Sequence, residues 1–343
     1  MNIPAVSVIM SVYNGERHLA EAVESILVQT FADFEFIIVD DASTDATPRI
    51  LAGYAEKDGR IRILRNEVNR ERSVSRNRAM NEASAWLIAV MDADDVSVPD
   101  RFEKQVAFMR AHPDITVCSG GLSLYDSPDT VWLPPIGHEA IRARMLFESS
   151  IYHPVSMYRK EQIHVDAGGY DASMPLAEDY DLWARLSANP ASRFANLPGI
   201  FYSYRLRDKG EKYREILQNK ANIVRKKLLR SIGLTPTDKE FAAHLALSLW
   251  SKTLSLSEIW ACKKWISKLY AAAINADPAY EREALKRELQ YRWAMLCSRN
   301  MVASAFGLVY FCSEFSEFSG KQVFRFSKRV LKKIFKILRG KPV

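Results

Sequence analysis

The chain has 343 residues, of which 48% are hydrophobic and 26% are charged. These values exclude an intrinsically disordered protein and leave room for one large domain and one smaller domain. The four cysteines, Cys118, Cys262, Cys297 and Cys312, show neither CxxC spacing nor a disulfide-framework pattern. We therefore predict reduced thiols in a cytosolic protein.

Charge divides the chain into two unequal parts. Residues 1–208 hold 21 Lys and Arg against 30 Asp and Glu, whereas residues 209–343 hold 27 against 11. An acidic front and a basic rear predict two parts with different tasks. We predict a catalytic α/β domain over residues 1–208, a helical domain over residues 209–320 and a basic amphipathic helix over residues 321–343.

Neither a signal peptide nor a transmembrane helix is predicted. The N-terminal residues Met1 to Pro4 form no basic region and no apolar core of a leader. The longest uncharged apolar run near the end, Met301 to Cys312, is shorter than the roughly 20 residues that cross a bilayer.

The front part alternates apolar strands with amphipathic helices. Strands are predicted at Val6–Val12, Phe34–Val39, Ile61–Leu64 and Ala85–Met91. Helices are predicted from Leu19, after a cap at Ser43 or Thr44, and over Ser75–Ala83. The order β-α-β-α-β-α-β predicts right-handed crossovers and a mostly parallel sheet with helices on both faces.

The elements after this repeat are less regular. We predict a helix from Pro99, a strand at Ile115–Ser119 and a further helix that begins near Leu176. Residues 126–140 contain three prolines and a glycine, which predict a loop. The apolar segment Ile151–Tyr158 predicts another strand.

Three of the predicted strands end in polar residues. These are Tyr13 with Asn14, Asp40 with Asp41, and the acidic turn Asp92–Asp95. Ligands of open α/β sheets bind beyond the carboxyl ends of the strands, so these residues are expected to meet in one crevice. The chain contains neither GxGxxG nor GxxxxGK[ST], which argues against a dinucleotide fold and a P-loop.

The acidic turn needs a positive partner, because its carboxylates repel one another. Mg²⁺ or Mn²⁺ together with a diphosphate is a common partner for such a cluster. The alternative is a solvated turn, or a cap for the helix that begins near Pro99.

The front of the chain resembles the family 2 glycosyltransferases of bacterial polysaccharide and lipopolysaccharide synthesis, which have the GT-A fold and use nucleotide-sugar donors. The resemblance runs from about Val6 to Tyr204 and rests on six short motifs that are specific only as an ordered set. The motifs are Ser11–Glu16, Val39–Asp45, Ser75–Asn77, Met91–Asp95, Gly168–Asp171 and Glu178–Trp183. In three departures, Ala42 and Glu71 stand where glycine is usual, and Ser11 replaces a frequent proline.

The resemblance implies roles for some of the motif residues. It makes Asp94 the main ligand of a Mn²⁺ or Mg²⁺ ion, with Asp92 assisting and contacting the ribose, and it makes Asp179 the catalytic base. The nucleotide-binding residues that it implies are Tyr13, Asn14, Asp41, Arg76 and Asp92. His153 lies where some relatives have a histidine near the metal.

Each role has a structural alternative. Asp40 and Asp45 can order a turn or cap a helix, and Arg76 can form a plain salt bridge. The acids around Asp179 can favour the start of a helix, and His153 can be a buried structural residue.

The predicted function is an inverting, metal-dependent hexosyltransferase. It moves a sugar from a nucleoside diphosphate, with UDP preferred, to a saccharide or lipid-linked acceptor in cell-surface glycan synthesis. One alternative is a sugar nucleotidyltransferase. Such an enzyme would need a basic, glycine-rich phosphate loop near its N-terminus, and Ser11–Gly15 does not provide one. Another is a catalytically silent scaffold on a membrane.

The rear part is predicted to consist of helices, at Tyr213–Arg230, Phe241–Thr253, Ser257–Ala273 and Tyr280–Arg299. Residues 321–343 contain nine Lys and Arg, no acid, and apolar residues at helical spacing. This pattern favours an anionic membrane surface, so the protein is expected to be cytoplasmic and peripheral at the inner face of the membrane. Nucleic acid is the competing partner for a basic helix, and a solvated tail packed on the helical domain is a third option. The membrane is preferred, so no nucleic-acid partner is expected.

Overall fold

The computed structural model describes residues 3–207, 209–249, 254–276 and 280–299. The chain forms two compact units, Met1–Leu228 and Leu229–Val343. The domain limits predicted at residues 208 and 320 remain predictions. The apolar run 301–312 and the basic segment 321–343 lie outside the described residues.

The first half of the sheet is parallel, as predicted. Its strands lie in the order β3-β2-β1-β4. The strands are β1 (Val6–Val12), β2 (Phe34–Asp40), β3 (Ile61–Arg65) and β4 (Leu87–Val90). The helices between them are α1 (Leu19–Leu27), α2 (Thr47–Ala55) and α3 (Glu71–Glu82). This confirms the βαβαβαβ order.

The second half of the sheet is mixed. Its further strands are β5 (Val96–Ser97), β6 (Ile115–Leu124), β7 (Ser127–Trp132), β8 (Met157–Arg159) and β9 (Arg193–Tyr204). The order continues β4-β8-β6-β9-β5, with β7 paired to β6. Only β6 and β9 run parallel there, and the other pairs are antiparallel. The helices are α4 (Arg101–Ala111), α5 (His138–Met145), α6 (Lys160–Ala167) and α7 (Glu178–Leu186).

Burial on both faces explains the continuous apolar strands. All residues of β2 are buried, and so are all but one of β1, because helices cover both sides of the sheet. Helix α1 buries Leu19, Ala22, Val23 and Ile26, which follow helical spacing and fall in the same core cluster as Val8 and Phe36. Because β1 pairs in parallel with both β2 and β4, the carboxyl ends of the three strands lie at one edge of the sheet.

Three local predictions are wrong. Residues 126–140 are not a loop, since they contain β7 and the start of α5. The segment Ile151–Tyr158 is not one strand: His153–Val155 form a 3₁₀ turn around Pro154, and β8 begins only at Met157. Neither Ser43 nor Thr44 caps α2, whose N-cap position is Ala46 without a side-chain hydrogen bond.

The rear helices form where the sequence predicts them, with shifted ends. They are α8 (Gly210–Ser231), α9 (Asp238–Leu249), α10 (Leu256–Ile274) and α11 (Arg282–Arg299), and most of α8 belongs to the first unit. In the second unit, Ser255 and Glu258 form a capping box at α10, and Trp265 Nε1 donates to His244 Nδ1 at 3.1 Å. Among the described helices, none is both long and apolar enough to span a bilayer.

Candidate active site

Two loops at the carboxyl end of the sheet are joined through Asn14. Asn14 has a φ angle of 50°, and its backbone N–H donates to Ser43 Oγ at 2.9 Å. Its side-chain Oδ1 accepts from the Thr44 N–H at 2.9 Å. Gly15 N–H donates to Thr47 Oγ1, also at 2.9 Å. Asn14 therefore connects the β1–α1 loop to the β2–α2 loop, besides facing the cavity described next.

A cavity of about 380 Å³ opens where β1, β2 and β4 end. It brings together five of the residues proposed from the sequence, which are Tyr13, Asn14, Asp41, Asp92 and Asp94. The expected convergence of the three strand ends on one crevice is thereby confirmed. Arg76, His153 and Asp179 are not among the lining residues.

The cavity wall contains two residues that the sequence predicts to bind the nucleotide, Tyr13 and Asp41. The Tyr13 residue is 51% exposed, so its ring is available to a planar ligand. Asp41 is buried, and its Oδ1 accepts from Asn66 Nδ2 at 2.6 Å and from the Arg70 N–H at 2.9 Å. These two donors hold the Asp41 carboxylate in one orientation at the cavity wall.

The three acids of the turn after β4 have different surroundings. Asp92 Oδ1 accepts from Arg76 Nη2 at 2.9 Å. Asp95 is buried and accepts from the Arg205 N–H at 2.7 Å, so it holds the turn. Burial raises the pKa of Asp95 to about 8. Asp94 faces the cavity with a side chain that is 35% exposed. Asp94 is therefore the acid best placed to meet a ligand.

Asp94 fits a divalent cation that shares its coordination with a diphosphate. Burial, and then the charge of Asp92, raise the pKa of Asp94, so a nearby cation would favour its ionised form. Magnesium is commonly held by one or two carboxylates plus substrate phosphates. Within the described residues there is no group of three or more His, Cys, Asp or Glu placed to enclose a metal. The fit is thus to an open site completed by substrate.

His153 has the surroundings of a structural residue. Its Nε2 lies 2.8 Å from the Tyr170 hydroxyl, and its ring packs against the rings of Tyr170 and Trp183. Burial, and then the charge of Arg76, hold the pKa of His153 well below 6.5, so the ring is neutral at pH 7. The ring nitrogen nearest to Tyr170 is already engaged, which gives the proposed metal-ligand role no support.

Arg76 connects the acidic turn to the start of α7. Its Nη1 donates to Glu178 Oε1 and its Nη2 donates to Asp92 Oδ1, both at 2.9 Å. The guanidinium is almost fully buried, with a side chain that is 4% exposed. Of the two uses that the sequence allows for Arg76, the structure shows the salt bridge.

Asp179 differs from the other two acids at the start of α7. Glu178 pairs with Arg76, and Asp181 pairs with Arg185 at 2.7 Å and with Lys227 at 2.8 Å. Asp179 takes part in none of these pairs. Burial, and then the charge of Glu178, raise the pKa of Asp179 to about 6. A carboxylate with that pKa is largely ionised near pH 7 and is a stronger base than an ordinary aspartate.

Sequence reasoning missed several cationic residues of the cavity. Arg17, Arg72, Arg207 and Lys209 all line it. Arg207 and Lys209 follow β9, more than 100 residues after the acidic turn, so no local spacing reveals the encounter. The only signal in the sequence is the concentration of basic residues just beyond Tyr204.

The comparisons with known proteins agree with this geometry. The model of the family described as glycosyl transferase family 2 matches residues 7–166. WbnJ of Escherichia coli, an O-antigen biosynthesis glycosyltransferase, is 32% identical over 211 residues, which cover 60% of this chain and 80% of that protein. The chain belongs to glycosyltransferase family 2. This membership confirms the enzyme class predicted from the motifs and favours it over the nucleotidyltransferase and scaffold alternatives. Other curated relatives align over about two thirds of their length.

Solved glycosyltransferase structures share the fold. TarS of S. aureus in complex with UDP-GlcNAc superposes with a TM-score of 0.54 at 20% identity, over 88% of this chain and 91% of that one. Mannosyltransferase PcManGT from Pyrobaculum calidifontis in complex with GDP-Man and Mn²⁺ gives 0.55 at 18% identity, over 93% and 89%. The GT-A fold class with a helical C-terminal region is therefore confirmed.

Proposed function

We propose that this family 2 glycosyltransferase inverts the configuration of the sugar that it transfers. The donor is a nucleoside-diphosphate sugar, with UDP as the expected nucleotide, and the acceptor is a saccharide or lipid-linked saccharide of a cell-surface glycan. One observation carries the proposal. Arg76 joins Asp92, on the wall of the cavity, to Glu178, whose neighbour Asp179 has a pKa raised to about 6.

The donor end of the mechanism follows from the cavity wall. Tyr13 offers its exposed ring to the base, and the fixed Asp41 carboxylate accepts from polar groups of the nucleotide. Asp94, with Asp92 next to it, would hold Mn²⁺ or Mg²⁺. Such an ion, when bound, would supply the Lewis acid that neutralises the leaving diphosphate.

The acceptor end needs one base. Asp179 takes the proton from the acceptor hydroxyl while that oxygen attacks the anomeric carbon. A single displacement inverts the anomeric configuration, so no covalent sugar–enzyme bond forms. Glu178 contributes by raising the pKa of Asp179, and Arg76 limits that rise through its opposite charge.

The names of related proteins support the substrate classes. TarS was solved with UDP-GlcNAc, and PcManGT with GDP-Man and Mn²⁺. WbnJ is named for O-antigen biosynthesis and TuaG for teichuronic acid biosynthesis. These names support a nucleotide-sugar donor and a surface polysaccharide product, and they leave the base to be measured.

The test is thermal stability with UDP, GDP, CDP and dTDP, each with Mn²⁺ and with EDTA. A nucleotide that binds only the folded chain stabilises it by about 2.7 kcal/mol at a hundredfold excess over Kd. We expect one nucleotide to give the largest shift, with a metal-dependent part that Asp94→Ala removes. The control Asp100→Ala should keep that part, because Asp100 has a half-exposed side chain and is not among the lining residues. A metal-dependent shift that survives in Asp94→Ala would refute the assigned ligand.

The stereochemical part is tested separately. The sugar of the preferred nucleotide is added, and proton NMR follows the anomer that is first released to water or acceptor. Inversion is expected. A product that keeps the donor configuration would refute the single displacement, whatever the metal dependence.

Peripheral attachment to the membrane through residues 321–343 stays a proposal. It is supported by the nine Lys and Arg in that segment and the lack of any acid there. The full chain should sediment with anionic vesicles at low salt and remain in solution with neutral ones. If deletion of residues 321–343 leaves sedimentation unchanged, the segment is not the anchor.

A further inference from the structure

We propose that Arg207 is an exchangeable counter-ion of the donor site. Without donor it pairs with Asp94, and when a divalent cation takes Asp94 the guanidinium moves to the diphosphate. The proposal rests on the proposed donor class, since it needs a diphosphate in the cavity. It assigns a ligand-binding role to a residue that belongs to none of the six sequence motifs.

The first observation is the position of the ion pair. Arg207 Nη2 lies 3.5 Å from Asp94 Oδ2, and both residues line the cavity. Both side chains are partly exposed, at 44% for Arg207 and 35% for Asp94. An ion pair with this exposure is weak, and the need to break it lowers the affinity of a competing ligand by no more than about fivefold. A divalent cation on the same carboxylate would repel the guanidinium and displace it at little cost.

The second observation is that further cationic side chains line the same cavity. Arg17, Arg72 and Lys209 also line it, and Lys209 Nζ lies 4.9 Å from the centre of the Tyr213 ring. After burial, the positive charges of neighbouring arginines, Arg207 among them, lower the pKa of His18 in the same wall. Four cationic side chains thus balance the four acids of the cavity, which are Asp41, Glu71, Asp92 and Asp94. A divalent cation on Asp94 would make the net charge positive, so a displaced guanidinium would stay in a region that attracts anions.

The chemistry of arginine suits the new position. Its planar guanidinium donates two parallel hydrogen bonds to phosphate oxygens, a geometry that lysine does not reproduce. When the bond between the sugar and the diphosphate breaks, the leaving diphosphate gains negative charge. Arg207 would then share that charge with the cation held by Asp94. The site is consequently expected to retain part of its diphosphate affinity without any metal.

Calorimetry with inorganic pyrophosphate in EDTA tests this directly. Pyrophosphate has neither base nor sugar, so the result does not depend on donor identity. We expect the wild type to bind it and Arg207→Ala to bind it about tenfold more weakly or worse, the usual effect of losing hydrogen bonds between charged groups. Arg110→Ala, which removes an exposed arginine from the end of α4, should bind like the wild type.

Mn²⁺ binding in the absence of any phosphate supplies the reciprocal measurement. Electron paramagnetic resonance counts free Mn²⁺, and Arg207→Ala should bind the ion about two- to fivefold more tightly, because its competitor for Asp94 is gone. Asp94→Asn should lose Mn²⁺ binding and bind pyrophosphate in EDTA more tightly than the wild type. The melting temperature of each unliganded variant verifies that it is folded.

Two results would overturn the proposal. One is a wild type that does not bind pyrophosphate in EDTA, or that binds it no better than Arg207→Ala. The other is weaker Mn²⁺ binding in Arg207→Ala, which would make Arg207 a support for the metal site and not its competitor. If the reciprocal pattern holds while no nucleotide sugar is used, the counter-ion exchange stands and the proposed function fails.

Discussion

Replacing the proposed base should separate activity from stability. Asp179→Asn removes the group that accepts the acceptor proton, and loss of a general base typically lowers a rate by 10²–10⁴-fold, on the order seen for positioned side chains. The same substitution also removes a carboxylate whose pKa is raised from 3.8 to about 6 by burial and by Glu178. A folded state that raises the pKa of an acid is destabilised whenever that acid is ionised.

The size of the gain follows from the shift. Two pKa units correspond to almost 3 kcal/mol, and because Asp179 is only half-buried we expect a gain of about 1–2 kcal/mol for Asp179→Asn at pH 7.5. The sign depends on pH. Above pH 6 the ionised carboxylate lowers the unfolding free energy of the wild type by the full amount. This destabilisation decreases between pH 6 and 3.8, and it is absent below pH 3.8. The variant should therefore lose its advantage as the pH falls towards 4.

Urea unfolding of both proteins at several pH values measures the difference, and turnover of the preferred donor measures activity. Asp171→Asn is the matched control with opposite sign, since the hydrogen bonds that Asp171 accepts from Ser173 lower the pKa of this carboxyl. That control should lose a little stability and keep its activity. If Asp179→Asn is no more stable than the wild type at pH 7.5, or gains stability equally at every pH, the electrostatic reasoning is refuted. If the variant retains its turnover, Asp179 is not the base.

Two further substitutions test other parts of the site. Ala42 has a φ angle of 65°, a conformation that costs an L-residue about 1–2 kcal/mol. After the conformational entropy of glycine is subtracted, Ala42→Gly should raise the unfolding free energy by about 0.5–1 kcal/mol. The control Ala52→Gly lies inside α2 and should lower it by about 1 kcal/mol. Urea denaturation decides, and equal losses would show that the turn is unstrained. Arg76→Met leaves two acids without their buried partner and should lower the unfolding free energy by about 3–5 kcal/mol. Lys104→Ala, which breaks an exposed ion pair, should lower it by less than about 1 kcal/mol. A small loss for Arg76→Met in the same assay would mean that water replaces the pair.

Periodicity was enough to predict the first half of the sheet. Strands β1 and β2 are buried on both faces, so their continuous apolar runs are unambiguous. It failed for β7, an edge strand whose six residues are all exposed and which begins with Ser-Pro. No apolar alternation marks such a strand, because its only order comes from pairing with β6.

The site was predictable to the extent that its residues follow strands. Asp41, Asp92 and Asp94 do so, and their meeting follows from the parallel sheet alone. The two departures from glycine were also informative, since Ala42 and Glu71 both have positive φ angles in the structure. The engagement of His153 by Tyr170 and the approach of Arg207 to Asp94 depend on tertiary packing, which no spacing in the sequence encodes.

The bonds between the β1–α1 and β2–α2 loops limit which changes in chain length the protein can accept. The backbone N–H groups of Asn14, Gly15 and Glu16 donate to the side chains of Ser43, Thr47 and Asp45, respectively, which lie 29 to 32 positions further along the chain. An insertion or deletion of one residue in either loop would separate these partners and change the cavity wall at Asn14 and Gly15. Strand β7 lies at the edge of the sheet, is exposed along its length and pairs with β6, so a change of chain length there would disturb fewer contacts. Homologues should therefore vary in length around β7 and keep both loops at constant length.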